Sequence, residues 1–284
     1  MQQHNNLHRQ QLFNWIGNRI DERAPGGRLT PALRSEYVDC LRSTLEHGLW
    51  LQKPNVPDYI GDGSRVFVHR PILCFTEWGL GQSLPHTKRY GRMGFGFPKR
   101  FVLNRGGQPV QYIRDASRDA PYSAALLAVA RWFDEQPEDL CASKRFLEIR
   151  DRFQYLAHFC KKIRKPRDDG DAPQKRKPKG QKRERQPRDV FARNFGTVLH
   201  YLEEREWRIV YDRAIARHCD PAEGGQDRPE KYLRFTPGKD LFTVVLPDNE
   251  TVNRALACED IRAKLYPANA PHVTVLSFQD IGTF

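Results

Sequence analysis

Long apolar runs are missing from this sequence. The longest, residues 124–130, is far shorter than the about 20 residues that a membrane-spanning helix needs, so helical membrane spanning is excluded. Close cysteine pairs are also missing: Cys40, Cys74, Cys141, Cys160, Cys219 and Cys258 are scattered, which gives neither a disulfide framework nor a zinc knuckle. Reduced, packed thiols are the expectation. The opening residues MQQHNN carry no basic stretch followed by an apolar one, so no secretory signal is read and a cytoplasmic protein is expected. No HExxH, GxSxG or P-loop occurs, which removes support for zincin, serine hydrolase and Walker-type NTPase chemistry.

What is present is enough for a globular core. The chain has 284 residues, of which 39% are hydrophobic and 11% aromatic, too many for a disordered polymer. Its charge is unevenly placed. Residues 161–188 hold thirteen basic and four acidic side chains, a local net of +9 out of +12 for the whole chain. The stretch contains Pro166, Pro173, Pro178 and Pro187, and after Ile163 no large apolar residue follows until Val190. It has no face to bury and reads as a disordered basic insertion at 165–188. Two roles are open: a sequence-indifferent nucleic-acid tether through Lys175, Arg176, Lys177, Lys179, Lys182, Arg183 and Arg185, or a solvated, solubilising loop.

Along the chain, LFNWIG (residues 12–17) reads as a first strand ended by glycine. Leu33, Tyr37, Val38, Leu41 and Leu45 recur at helical spacing, which predicts a helix from Pro31 to His47 capped by Gly48. Residues 66–113 read as mainly β, with strands at 72–75, at 91–97 (GRMGFGF) and at 110–113. The glycines of GRMGFGF do not match GxGxxG and mark a bulge or a close backbone approach rather than a phosphate cradle. Two helices are predicted next, at 121–135 and from an N-cap at Ser143 through Ile163, with Phe146, Leu147, Phe153, Leu156, Ala157 and Cys160 on one apolar side. Residues 206–211 (EWRIVY) alternate, with Trp207, Ile209 and Tyr211 on a core face and Glu206 and Arg208 opposite. A strand at 241–246, a helix at 251–265 and a strand at 273–278 complete an α+β alternation, read as one domain over 1–284.

Three clusters place polar residues among aromatics in strand-like sequence: LFNWIG, CFTEW followed by HTKRYGRMGFGF, and EREWRIV. The order of LFxWxG, CFTE, YGxxGxGF, GGxPVxYI and EREWR resembles the AbiGi proteins of bacterial abortive-infection phage defence, over residues 12–113 and 200–211. That family is labelled an antitoxin, yet its strand and motif order is also similar to ADP-ribosyltransferase folds, whose β core is split and mainly antiparallel. The resemblance implies NAD as substrate, no metal, and roles for a polar residue on the first strand (Asn14), an aromatic on a middle strand (Tyr90) and a late glutamate (Glu206). Glu206 would stabilise the oxocarbenium-like centre formed as the nicotinamide bond breaks. Tyr90 or Trp15 would stack on the nicotinamide, and Arg19, Arg92 or Arg208 would neutralise the pyrophosphate.

Several alternatives stay open at this point. Strand parity does not fix which of Glu203, Glu204 and Glu206 faces a cleft, and Glu206 could instead be an exposed strand carboxylate paired with an arginine across the sheet. Glu77 and Trp78 could line the cleft or close a turn, and His86 could be an acid/base or a surface residue. The resemblance implies a phage-defence effector that transfers ADP-ribose to a macromolecule, with nucleic acid favoured by the basic run and a cognate antitoxin or regulator as partner. The competing expectation is a non-enzymatic nucleic-acid- or partner-binding antitoxin.

Overall fold

Bulky β-formers with a glycine stop make Gln11–Ile16 the first strand, β1, and everything else in the larger of two compact units is arranged around it. The structure, a computed structural model, describes residues 11–52, 70–77, 79–114, 121–163, 205–212, 215–221 and 231–281. In chain order the strands are β1, β2 (Leu49–Leu51), β3 (Ile72–Thr76), β4 (Met93–Pro98), β5 (Gln108–Pro109), β6 (Gln111–Arg114), β7 (Cys160–Ile163), β8 (Glu206–Val210), β9 (Cys219–Pro221), β10 (Lys231–Leu233), β11 (Thr243–Leu246) and β12 (Thr274–Ser277). The helices are α1 (Asn18–Asp21), α2 (Pro31–His47), α3 (Leu84–Tyr90), α4 (Lys99–Leu103), α5 (Pro121–Asp134), α6 (Glu138–Cys141), α7 (Lys144–Ala157), α8 (Asn249–Ala257), α9 (Glu259–Leu265) and α10 (Phe278–Ile281).

The architecture is mixed α and β. Seven strands form one sheet in the order β12-β11-β4-β1-β3-β8-β5, antiparallel at every pairing except β11 with β12, which α8 and α9 connect. A three-stranded sheet, β2-β10-β9, belongs to the same unit. One face of the large sheet carries Leu12, Leu73, Phe75, Phe95, Phe97, Trp207, Ile209, Val244 and Leu246 into a core closed by Tyr37, Leu41 and Leu45 of α2 and by Ala255 and Ile261. Tyr37, Leu41, Phe95, Phe97 and Ile209 have no exposure, so each contributes roughly 1.5–3 kcal/mol through removal from water. Helix α2 has the predicted bounds. Thr30 Oγ1 accepts from Leu33 N at 3.3 Å at its start, and Gly48, at φ 102, ends it.

The opposite face is apolar over part of its width. There Phe13 and Trp15 meet Val245 and Phe278, with Leu80, Tyr90, Leu276 and Ile281 alongside. Because β1 is covered on both sides, its interior positions are buried without alternation.

The second unit, described by itself, contains α5, α6 and α7 and the parallel pair β6 and β7. Ser143 caps α7 by accepting from Phe146 N at 3.3 Å, as its sequence implies. Phe133, Phe146 and Phe153 form its aromatic centre.

Several expectations need correction. Helix α7 stops at Ala157, and Cys160–Ile163 pairs as a strand with β6; Leu147 and Leu156 are exposed rather than on a buried side. Residues 66–113 are not uniformly β, since α3 and α4 lie between the strands; proline in the first turn of α3 presets its entry and Gly91 ends it. The helix expected at 251–265 is two helices, broken where Cys258 adopts φ −77 and ψ 117. The basic run at 165–188 lies outside the described residues. No helix among the described residues is long and apolar enough to cross a membrane.

Candidate functional site

Cross-strand register decides which candidate residues share a surface. Thr76 stands opposite both Phe13 of β1 and Glu206 of β8, and paired residues project to the same side of a sheet. Glu206 therefore shares a face with Phe13 and Trp15, and with Cys74 and Arg208 one step along their strands. Gln108 of β5 stands opposite Arg208 and extends that polar strip to the sheet edge.

Glu206 is buried, and its Oε1 accepts from Arg208 Nε at 2.7 Å; the arginine side chain is only 13% exposed. A carboxylate and guanidinium so placed hold each other against the cost of desolvation. The sequence alternative of an exposed carboxylate paired across the sheet is thus modified: the glutamate is buried and its arginine lies two residues on. The residue before it, Arg205, has φ 39, a left-handed conformation uncommon outside glycine, and its carbonyl accepts from Glu77 N at 3.2 Å.

Trp15 lies flat across the middle of β4. A Cβ on Gly94 would sit 2.7 Å from the indole Cζ3, and one on Gly96 would sit 2.8 Å from Phe13 Cε1. The glycine-rich run thus serves close approach of two rings, one of its two sequence readings. The Phe13 and Trp15 rings stack at 5.7 Å, and Phe278 meets Trp15 edge-on at 6.2 Å. Trp15 Nε1 is buried without a hydrogen-bond partner. Tyr90 packs beside this cluster, but from the end of α3 and not from a strand.

Asn14 points to the other side, between Leu12 and Ile16. Its Nδ2 donates to Cys74 O at 2.8 Å, while its Oδ1 is buried and has no partner. That bond bridges β1 and β3 where they diverge, because their one registered pair is Phe13 with Thr76. The structure therefore does not bring Asn14 onto the face of Glu206. Arg92 is also held elsewhere: its Nε and Nη2 donate to Asp21 Oδ1 at 2.9 and 2.7 Å, and its backbone N to Oδ2 at 3.0 Å. Arg19 is exposed on α1.

A second polar group forms where β3 ends. Glu77 Oε1 accepts from Lys99 Nζ at 2.8 Å and Oε2 from Trp207 Nε1 at 3.0 Å, with the Lys99 ammonium 4.5 Å from the Trp207 ring centroid. Burial works against the Glu77 charge, but the hydrogen bonds from Lys99 and Trp207 prevail and hold its carboxyl below the usual carboxylate value. Sequence reasoning placed Trp207 in the core, which is where it is, but missed Lys99, whose only signal is a cation directly after FGFP.

Trp78, Glu203 and Glu204 lie outside the described residues, as do Lys175, Arg176, Lys177, Lys179, Lys182, Arg183 and Arg185. His86 falls on α3, with its side chain outside the described set. Among the described residues no three His, Cys, Asp or Glu side chains gather as a metal-binding group. The candidate site thus consists of a buried Glu206–Arg208 pair on the sheet face that also bears the aromatic side chains of Phe13 and Trp15. No family model, curated protein or solved structure matches the chain.

Proposed function

We propose that this protein is a phage-defence effector with an ADP-ribosyltransferase-like core, which transfers ADP-ribose from NAD to a nucleic acid. In this reading Glu206 is the catalytic carboxylate. The glycosidic bond between the ribose C1′ and nicotinamide breaks, a nucleophilic atom of the acceptor bonds to C1′, and nicotinamide leaves. The Glu206 carboxylate stabilises the positive charge on the ribose and receives the acceptor's proton. Arg208 holds that carboxylate in place through the 2.7 Å hydrogen bond, and Trp15 supplies an aromatic surface.

The observation that carries the reading is the burial of Glu206 against Arg208 on the sheet face that also bears Phe13 and Trp15, two strands away. The strained backbone of Arg205 directly before it supports a site that the fold holds at some cost. The family resemblance supplies NAD and the defence role, and the basic run supports nucleic acid as acceptor with a cognate antitoxin as regulator. Purified protein incubated with NAD and RNA or DNA should release nicotinamide, and Glu206→Gln should abolish the release; release at the wild-type rate by the variant would refute the assignment.

One observation favours a second reading, a non-enzymatic antitoxin or regulator. Glu206 is already engaged by Arg208 at 2.7 Å, as a structural ion pair would be. That reading predicts that Glu206→Gln leaves biological activity intact while deletion of residues 165–188 abolishes it.

A further inference from the structure

Arg105, just after α4, carries a charge that the fold pairs only at long range. Its side chain is 12% exposed, and its guanidinium lies 3.6 Å from the Phe101 ring centroid. Its Nη1 donates to Phe101 O at 3.2 Å, but its Nε is buried without a partner, and its carboxylate, Asp240, approaches only to 3.9 Å. Asp240 is in addition engaged by Thr236 N at 3.0 Å. The other mostly buried arginines of this unit differ: Arg34, Arg92 and Arg208 meet carboxylates at 2.7 to 3.0 Å. A buried cation without a close counter-ion is costly, and an anion from outside removes that cost.

The surroundings of Arg105 add positive charge. Arg217 Nε donates to His218 Nε2 at 3.2 Å, so His218 accepts there and is neutral. Burial, Arg105 and Arg217 all push the His218 pKa down, which keeps it so. Lys231 Nζ sits 3.3 Å from the Tyr211 ring centroid, and the segment that follows it bonds His218 O through Arg234 N at 2.9 Å before it reaches Asp240 beside Arg105. Arg217 and Lys231 form no ion pair among the described residues. Asp240 is the carboxylate that faces Arg105 and His218, against the charges of Arg105 and Arg217.

We propose that Arg105, Arg217 and Lys231 form a fixed phosphate-binding patch for a nucleic-acid strand. Arg105 supplies a desolvated cation for one phosphodiester, and Arg217 and Lys231 supply the charge that holds the strand. The run at 165–188 lies outside the described residues, whereas this patch gives the strand a defined position on the folded unit. The inference builds on nucleic acid as acceptor, but its test contains no NAD, so failure of transferase activity would leave it standing.

The test measures anisotropy of a fluorescein-labelled oligothymidylate with the full chain across a salt series. The double variant Arg217→Ala/Lys231→Ala should bind roughly tenfold more weakly, and its log–log salt slope should be shallower by about 1.4, at about 0.7 per cation removed from a single-strand contact. The charge-matched variant Arg262→Ala/Lys264→Ala, on α9, should behave as wild type. Because Arg217 is exposed, Arg217→Glu serves as a second probe and should weaken binding further, while Arg217→Lys should restore most of it. Unchanged affinity and slope in the double variant and in Arg217→Glu would overturn the proposal, as would equal losses in the charge-matched control; a patch serving an acidic protein would give the first of these.

Discussion

Gly94 of β4 should not tolerate even a methyl group without loss of stability. An alanine methyl there would sit 2.7, 2.9 and 3.0 Å from three atoms of the Trp15 ring, well inside van der Waals contact. The ring has nowhere to go, since it is stacked on Phe13 at 5.7 Å and braced by Phe278 at 6.2 Å. The backbone cannot retreat either, because β4 is hydrogen-bonded between β1 and β11. Overpacking of this kind costs about 1–3 kcal/mol. With a urea m-value of about 2 kcal/mol/M, the unfolding midpoint of Gly94→Ala should fall by roughly 0.5–1.5 M. Gly81→Ala, where nothing lies within 4 Å, should leave it unchanged. Replacing Trp15 by leucine in the Gly94→Ala background should recover part of the loss, so that the two substitutions together cost less than the sum of each alone. Equal midpoints for Gly94→Ala and Gly81→Ala, or strict additivity with Trp15→Leu, would refute the packing described for this face.

Other outcomes follow from the same geometry. Asn14→Asp should destabilise more than Asn14→Ala, by a further about 1–3 kcal/mol in chemical denaturation, because a carboxylate cannot donate to Cys74 O and would face it with like charge. Glu77, whose folded pKa is depressed, contributes stability that is present above its unfolded value of about 4.3 and lost as pH falls through the lower folded value. Glu77→Gln should therefore lower the thermal midpoint at neutral pH and flatten its dependence on pH below about 4.3. Asp248→Ala removes both the cap on Thr251 N at 2.8 Å and the Arg34 ion pair at 3.0 Å, and should cost about 2 kcal/mol, whereas Asp248→Asn should keep much of the cap.

Elements with strong local signals were legible. Helix α2 showed its apolar spacing and its terminal glycine, Ser143 was readable as a cap, and the alternation around Trp207 and Ile209 placed both correctly in the core. The break after Ala157 was not legible, because CKKI continues without glycine or proline and only pairing with β6 makes it a strand. Cys258 breaks α8 from α9 with no breaker residue either, although Glu259 and Asp260 give the acidic first turn of a new helix. The short helix ending at Tyr90 hid in sequence without apolar period. Which of the candidate residues share a surface was not legible. Which side of the sheet Asn14 and Glu206 occupy depends on the Phe13–Thr76–Glu206 register, a long-range pairing that no local pattern encodes. That Arg92 belongs to Asp21 likewise depends on partners 71 residues apart.

The most direct test of the central claim is transfer of label from adenylate-labelled NAD to separate pools of RNA, single-stranded DNA, double-stranded DNA and cell protein. It should be run with and without phage-infected extract, beside a Glu206→Gln variant shown to unfold at the wild-type temperature. The account predicts label on a nucleic-acid pool from the wild type and none from the variant. Label on no pool in either condition, or equal labelling by both proteins, would contradict it.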